Sequence, residues 1–195
     1  MQNKIYVMSK APLIGISKTR LSKEIGVISS KRFSLNNLEN IRKLFINKKE
    51  YSINWYVIPN LKFRSYSFSF FKNFFLQKGS CLGKKIWYLV NKNNFPFIII
   101  GSDIPKINIS AVLYAFKKLK TNDVVLGPTF DGGFWLIGFS KKKRILYPFS
   151  KIRWSTNHTL KDLIKSLESN KISYEFTTKL RDIDNKNDYC KNSKD

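Results

Sequence analysis

Asp103 is the side chain in this sequence whose setting most invites chemistry. It closes the stretch Phe97-Ile98-Ile99-Ile100-Gly101-Ser102-Asp103, and Pro105 follows two places later. A short β-branched run bounded by breakers reads as a strand buried on both faces. Pro105 cannot donate to a ladder, so pairing ends there. Ligands of open α/β sheets bind beyond the carboxyl ends of the strands. A carboxylate at that edge suits a divalent cation and, through it, a phosphate. The plain alternative is that Asp103 caps a turn or the helix expected to start near Ser110.

Other residues point to the same edge. Residues 9–21 follow a first strand and read as a loop, because they contain Pro12 and Gly15; they also carry Lys10, Lys18 and Arg20. Backbone N–H groups and cationic heads in such a loop converge on anions. The loop is neither a P-loop nor a G-x-G-x-x-G motif, and a basic loop that is merely solvated fits it as well. Asp131-Gly132-Gly133 has the residue types of a tight turn. It brings bare backbone near the strand ends, though an ordinary hairpin would read the same. Ser155, Thr156 and Asn157 are N-cap types for a helix through Leu160, Leu163, Ile164 and Leu167, and a helix N-terminus favours anions. Asp182 and Asp184 alternate, so in an extended segment they face the same way. His158, the only histidine, reads as incidental.

The elements that must position these groups alternate between strands and helices. Strands are predicted at residues 5–8, 53–58, 98–100, 123–127, 134–139 and 172–176. Amphipathic helices are predicted at residues 30–46, through Ile86, Leu89 and Val90, at 109–119 and at 160–167. A short final helix starts at residues 185–188. The aromatic-rich residues 62–75 read as core and cover rather than as a base-stacking platform. Gln77 to Lys85 form a second glycine-bearing loop. With no internal repeat and no linker, residues 1–190 read as one domain, followed by a frayed tail at 191–195.

The 195 residues can bury a sizeable core. The formal charge of +23 suggests a polyanionic partner, nucleic acid or an anionic membrane. The lysines are scattered, however, with only short clusters such as Lys141-Lys142-Lys143-Arg144, and Asn, Ile, Phe and Tyr are abundant too. That pattern reads as compositional bias, and no nucleic-acid partner is expected. Cys81 and Cys190 are the only cysteines and fit a reducing compartment. The chain enters a strand pattern directly, with no signal-peptide h-region and no apolar run long enough to span a bilayer. The expected location is the cytoplasm.

Taken together, the motifs resemble the bacterial glycosyltransferase-A-like family, whose members are labelled glycosyltransferases and some of which are linked to arsenosugar biosynthesis. That family is related to 2-phospho-lactate guanylyltransferase and molybdenum cofactor guanylyltransferase. The matching stretches are residues 10–21, Gly101-Ser102-Asp103-Ile104-Pro105, residues 127–138, Trp154-Ser155-Thr156 and Asp182-Ile183-Asp184, in the family's order. The resemblance implies a Rossmann-like three-layer α/β/α sandwich of the nucleotide-diphospho-sugar transferase type, with a mostly parallel sheet. It implies Mg²⁺ or Mn²⁺ on Asp103, with Asp184 or Asp182 completing the coordination. It places the nucleotide and its phosphates on Lys10, Pro12, Gly15, Lys18, Arg20, Gly101 and Ser102. Asp131 would orient or deprotonate an acceptor, beside Gly132, Gly133, Trp154, Ser155 and Thr156. The implied activity is sugar transfer from a nucleotide sugar to a small-molecule acceptor. The alternative is nucleotidyl transfer from a nucleoside triphosphate to a phosphorylated small molecule. Cys81 and Lys85 stand where relatives carry an acid and an arginine, which leaves donor identity, and a non-catalytic role, open.

Overall fold

The computed structural model describes residues 2–10, 18–58, 74–94, 96–140, 146–183 and 185–192, with residues 191 and 192 described by backbone alone. Within them, seven strands share one sheet: β1 (Asn3–Lys10), β2 (Tyr51–Ile58), β3 (Phe74–Leu76), β4 (Phe97–Gly101), β5 (Val124–Pro128), β6 (Phe134–Phe139) and β7 (Tyr174–Phe176). Their order is β3-β2-β1-β4-β6-β5-β7. Only β6 runs against its neighbours, β4 and β5; the other pairings are parallel.

The apolar runs of the central strands are buried on both faces because helices cover both. Ile5, Val7, Ile98 and Ile100 point to one side, against Leu38, Ile41, Val112 and Phe116. These come from α2 (Val27–Phe45) and α4 (Ile109–Lys118). Tyr6, Phe97, Ile99 and Ile137 point to the other side, against Ile86, Leu89, Leu163 and Leu167. These come from α3 (Leu82–Lys92) and α5 (Thr159–Ser169). The alternation along β1 and β4 is the two-residue period of a pleated strand, and the expected three-layer α/β/α sandwich is the result. A smaller cluster joins Leu21 of α1 (Thr19–Ile25) to Phe33 and Ile183, with Tyr189 of α6 (Lys186–Asn192) packed on it.

The expected and observed elements differ most at the basic loop, at β3 and at the start of α5. The basic loop yields to a helix at Thr19, because Leu21 buries itself completely. Gly26, at φ 87°, then separates α1 from α2, a backbone state that side chains disfavour. β3 lies in a Phe-rich stretch whose lack of alternation hid it. The N-cap of α4 is Asn108, whose side chain accepts from the Ala111 N–H at 2.8 Å, so Asp103 is not that cap. α5 begins at Thr159 with His158 at the N-cap and no side-chain cap bond. Thr156 and Thr159 turn their hydroxyls to the Arg153 carbonyl instead, both at 2.9 Å.

Pro12, Gly15, Asp184, the Lys141-Lys142-Lys143-Arg144 cluster, residues 193–195 and most of the aromatic stretch at 62–75 lie outside the described residues. Among the described residues, no helix is long and apolar enough to cross a membrane.

Candidate functional site

Strand register brings the candidate residues to one edge. Met8 pairs with Gly101 and Lys10 with Ile58, so β1, β2 and β4 end together. Antiparallel β6 begins at that same edge. A cleft of about 900 Å³ opens there. Lys10, Lys18, Arg20, Gly101, Ser102 and Asp103 line one half, and Asp131, Gly133, Trp154, Ser155 and Thr156 line the other. Gly132 sits behind its own turn, and half-buried Asp182 is not among the lining residues.

The half beside β1 and β4 is assembled from distant parts of the chain. Lys18 stands at the start of α1 in the left-handed region, φ 52°. Its side chain is only 6% exposed, whereas that of Asp103 is 56% exposed. The Lys18 ammonium lies 3.3 Å from Asp103 Oδ1 and also donates to the Ile183 carbonyl. Ile183 returns a bond from its N–H to the Asp103 carbonyl at 3.3 Å, and the Ser102 N–H donates to Met8 at 3.1 Å. Ile183 is itself fully buried beside Leu21 and Phe33. Lys10 and Arg20, by contrast, are exposed on the cleft.

These groups suit a metal-bound nucleotide. Mg²⁺ is commonly held by one or two carboxylates together with substrate phosphates. Among the described residues there is no group of three His, Cys, Asp or Glu side chains that could hold an ion; Asp103 would share it with the phosphates. At Gly101 an added Cβ would meet only the Trp135 carbonyl, at 3.8 Å. Space beside the backbone is therefore left to the cleft, as close approach by a phosphate requires.

Sequence reasoning gave the Gln77 side chain no role and marked Lys85 only as a departure from relatives; both line the cleft. Gln77 is buried, and its amide donates to the carbonyls of Ser9 at 3.2 Å and Tyr56 at 2.8 Å. Two carbonyl partners fix which end of the amide is nitrogen. Among the described residues, its buried Oε1 has no hydrogen-bond partner. Tyr56 steadies the same loop: its hydroxyl donates to the Lys85 carbonyl and accepts from the Lys78 N–H, both at 3.1 Å. Burial pushes the Tyr56 phenol above its usual range. The signal that would have put Gln77 on the cleft is its place after a strand, and β3 was the strand missed.

The half beside β5 and β6 is tied mostly by local bonds. Asp131 Oδ1 accepts from the Thr129 hydroxyl at 2.5 Å and from the Gly133 N–H at 3.0 Å, which holds the turn in shape. Gly132 has φ 87°, and a Cβ there would lie 2.2 Å from the Asn157 carbonyl oxygen. Its own carbonyl accepts from the Leu160 N–H at 2.9 Å. The turn is thus pressed against the entry to α5. Arg153 grips Asp162 of α5 through Nε at 2.8 Å and Nη2 at 2.7 Å, and its N–H adds a third bond at 3.0 Å. Those bonds hold the Asp162 carboxyl well below the usual carboxylate range. Phe134 and Trp154, edge to face with centroids 6.5 Å apart, form an apolar wall.

Residues 66–156 match DUF2064, a family described as an uncharacterized protein conserved in bacteria. No curated protein matches the chain. Among solved structures, a proposed nucleotide-diphospho-sugar transferase from Desulfovibrio desulfuricans G20 superposes with a TM-score of 0.85 at 24% identity, over 95% of this chain and 84% of its own. A CMP:2-keto-3-deoxy-manno-octonic acid synthetase complexed with CTP superposes at 0.62 and 8% identity over the whole of both chains. A Mycobacterium tuberculosis H37Rv protein complexed with manganese superposes at 0.55 and 12% identity, over 98% of this chain and 97% of its own. The fold is therefore that of the nucleotide-diphospho-sugar transferases.

Proposed function

We propose that the protein is a metal-dependent transferase that moves a sugar from a nucleotide sugar to a small-molecule acceptor. The observation that carries this reading is the half-exposed Asp103 carboxylate at the end of β4, in one cleft with Lys10, Lys18 and Arg20. Asp103 would hold Mg²⁺ or Mn²⁺, which when bound neutralises charge on the diphosphate. Lys10 and Arg20 supply charge-assisted hydrogen bonds to the same phosphates. The base end of the nucleotide lies toward Gln77. Across the cleft, Asp131 orients the acceptor hydroxyl and takes its proton, and Trp154 with Phe134 covers the acceptor's apolar face. Fold likeness to a nucleotide-diphospho-sugar transferase favours sugar transfer. Likeness to a synthetase solved with CTP keeps nucleotidyl transfer as the second reading.

Thermal-shift measurement with UDP, GDP, CDP, ADP and their sugars, with and without Mn²⁺, tests the proposal. Binding at a hundred times Kd stabilises the fold by about 2.7 kcal/mol, so a metal-dependent shift is expected. No shift with any nucleotide under either condition sinks the reading. Release of a nucleoside diphosphate identifies sugar transfer, and release of pyrophosphate identifies nucleotidyl transfer.

A further inference from the structure

We propose that Lys18 is a positioning residue, which fixes Asp103 and the Ile183 backbone against each other, and is not a phosphate ligand. The proposal rests on the metal-and-nucleotide reading of the cleft only for its binding arm. Three observations carry it. First, among the described cations that line the cleft Lys18 has the buried side chain, 6% exposed, while Lys10 and Arg20 are exposed and Lys85 is half-buried. A buried ammonium persists only where it is paired and hydrogen-bonded. Second, its donors reach Asp103 Oδ1 and the Ile183 carbonyl, which belong to segments far apart in the chain. Third, its backbone is set for that reach. A left-handed φ of 52° is uncommon for a residue with a side chain. The Lys18 carbonyl accepts the Ser22 N–H at 2.8 Å, which locks the conformation to the first turn of α1.

The consequence is mechanical. A carboxylate held by a neighbouring donor presents itself to a metal in a fixed orientation, and loss of such outer partners commonly weakens metal affinity by about 10- to 100-fold. The exposed cations, not Lys18, are then left to meet the phosphates.

The test compares wild type with Lys18→Met and Lys18→Arg. Amide hydrogen exchange at Ile183 is followed by NMR, and affinity for UDP, GDP, CDP and ADP is measured with and without Mn²⁺. Lys18→Met is expected to speed exchange at Ile183 by about tenfold or more, which is about 1.4 kcal/mol of local opening. Its metal-free nucleotide affinity stays within about threefold of wild type, while the gain produced by Mn²⁺ falls by about tenfold. Lys18→Arg restores part of the Ile183 protection. Loss of metal-free nucleotide affinity with Ile183 exchange unchanged overturns the proposal and makes Lys18 a phosphate ligand. If Lys18→Met does not fold, the side-chain ¹⁵N signals of the wild-type protein decide. Metal-free nucleotide should move Arg20 and leave Lys18 in place, and an equal shift at Lys18 refutes the assignment. A wild type that binds no nucleotide removes the functional reading, and Ile183 exchange still judges Lys18.

Discussion

On the half of the cleft beside β5 and β6, the proposed acceptor side, the bonds that shape the wall join residues close in sequence: Thr129 with Asp131, Asp131 with Gly133, Arg153 with Asp162. On the half beside β1 and β4, the proposed donor side, the decisive contacts join Lys18 with Asp103 and with Ile183, 165 residues away from it. Local bonds form with little loop-closure entropy, whereas a junction of distant segments exists only once the sheet has brought them together. The acceptor wall is accordingly rigid by its own turn chemistry. The donor half depends on the whole fold and on one buried cation. Substitutions in the two halves should therefore fail differently.

Asp103→Asn should have the largest effect. It removes the carboxylate proposed to hold the metal, and turnover should fall by roughly 10³-fold or more; it also takes the opposite charge from the buried Lys18 ammonium, so the melting temperature should fall too. A variant that keeps its Mn²⁺-dependent nucleotide shift would show that the donor half is built on another acid. Asp131→Asn should come next. The amide oxygen can still accept from Thr129 and Gly133, so the turn survives, but no base remains to take the acceptor's proton. A loss in kcat of about 10²-fold with donor affinity intact is expected. A change in donor Kd instead of kcat would place Asp131 on the wrong side of the comparison. Gly132→Ala strikes the rigid half itself. With φ at 87° and a Cβ 2.2 Å from the Asn157 oxygen, it should destabilise by about 2–3 kcal/mol. An unfolding midpoint equal to wild type would mean that the wall yields easily, contrary to the contrast drawn above.

The same contrast explains what could be read from the residues alone. The run Ile98-Ile99-Ile100 ahead of Gly101-Ser102-Asp103 declares a buried strand with an acid at its mouth, because burial on both faces needs an unbroken apolar stretch. Asp131-Gly132-Gly133 declares its turn for a similar local reason. The Lys18–Asp103–Ile183 junction left no such trace, since nothing near Lys18 announces a partner 165 residues on. α1 was masked by its cations, and only the burial of Leu21 reveals why it folds. β3 was masked by aromatic repetition, and with it the place of Gln77 on the cleft. The strand order, with β6 reversed between β4 and β5, follows from long-range pairing that no single segment encodes.

The smallest effect expected, and the one most specific to the acceptor side, concerns acid. Asp162 is held below its usual range first by the Arg153 guanidinium, then by the Arg153 N–H. A carboxyl whose folded pKa is depressed adds stability that is complete above its unfolded pKa, about 3.9. That contribution disappears as pH falls through the folded value. Arg153→Ala removes the main cause and leaves the weaker pulls of the residue-153 N–H, of His158 and of the helix dipole on Asp162. The variant should therefore melt slightly below wild type at pH 7. The two should converge as pH drops below about 4. The Arg153 side chain is 59% exposed, so water and salt screen the pair and the gap at neutral pH should also shrink in 1 M salt. A gap that stays constant down to pH 3 and is indifferent to salt would assign Arg153 to packing, and the wall would be left to the Asp131 turn bonds and the Gly132 contact.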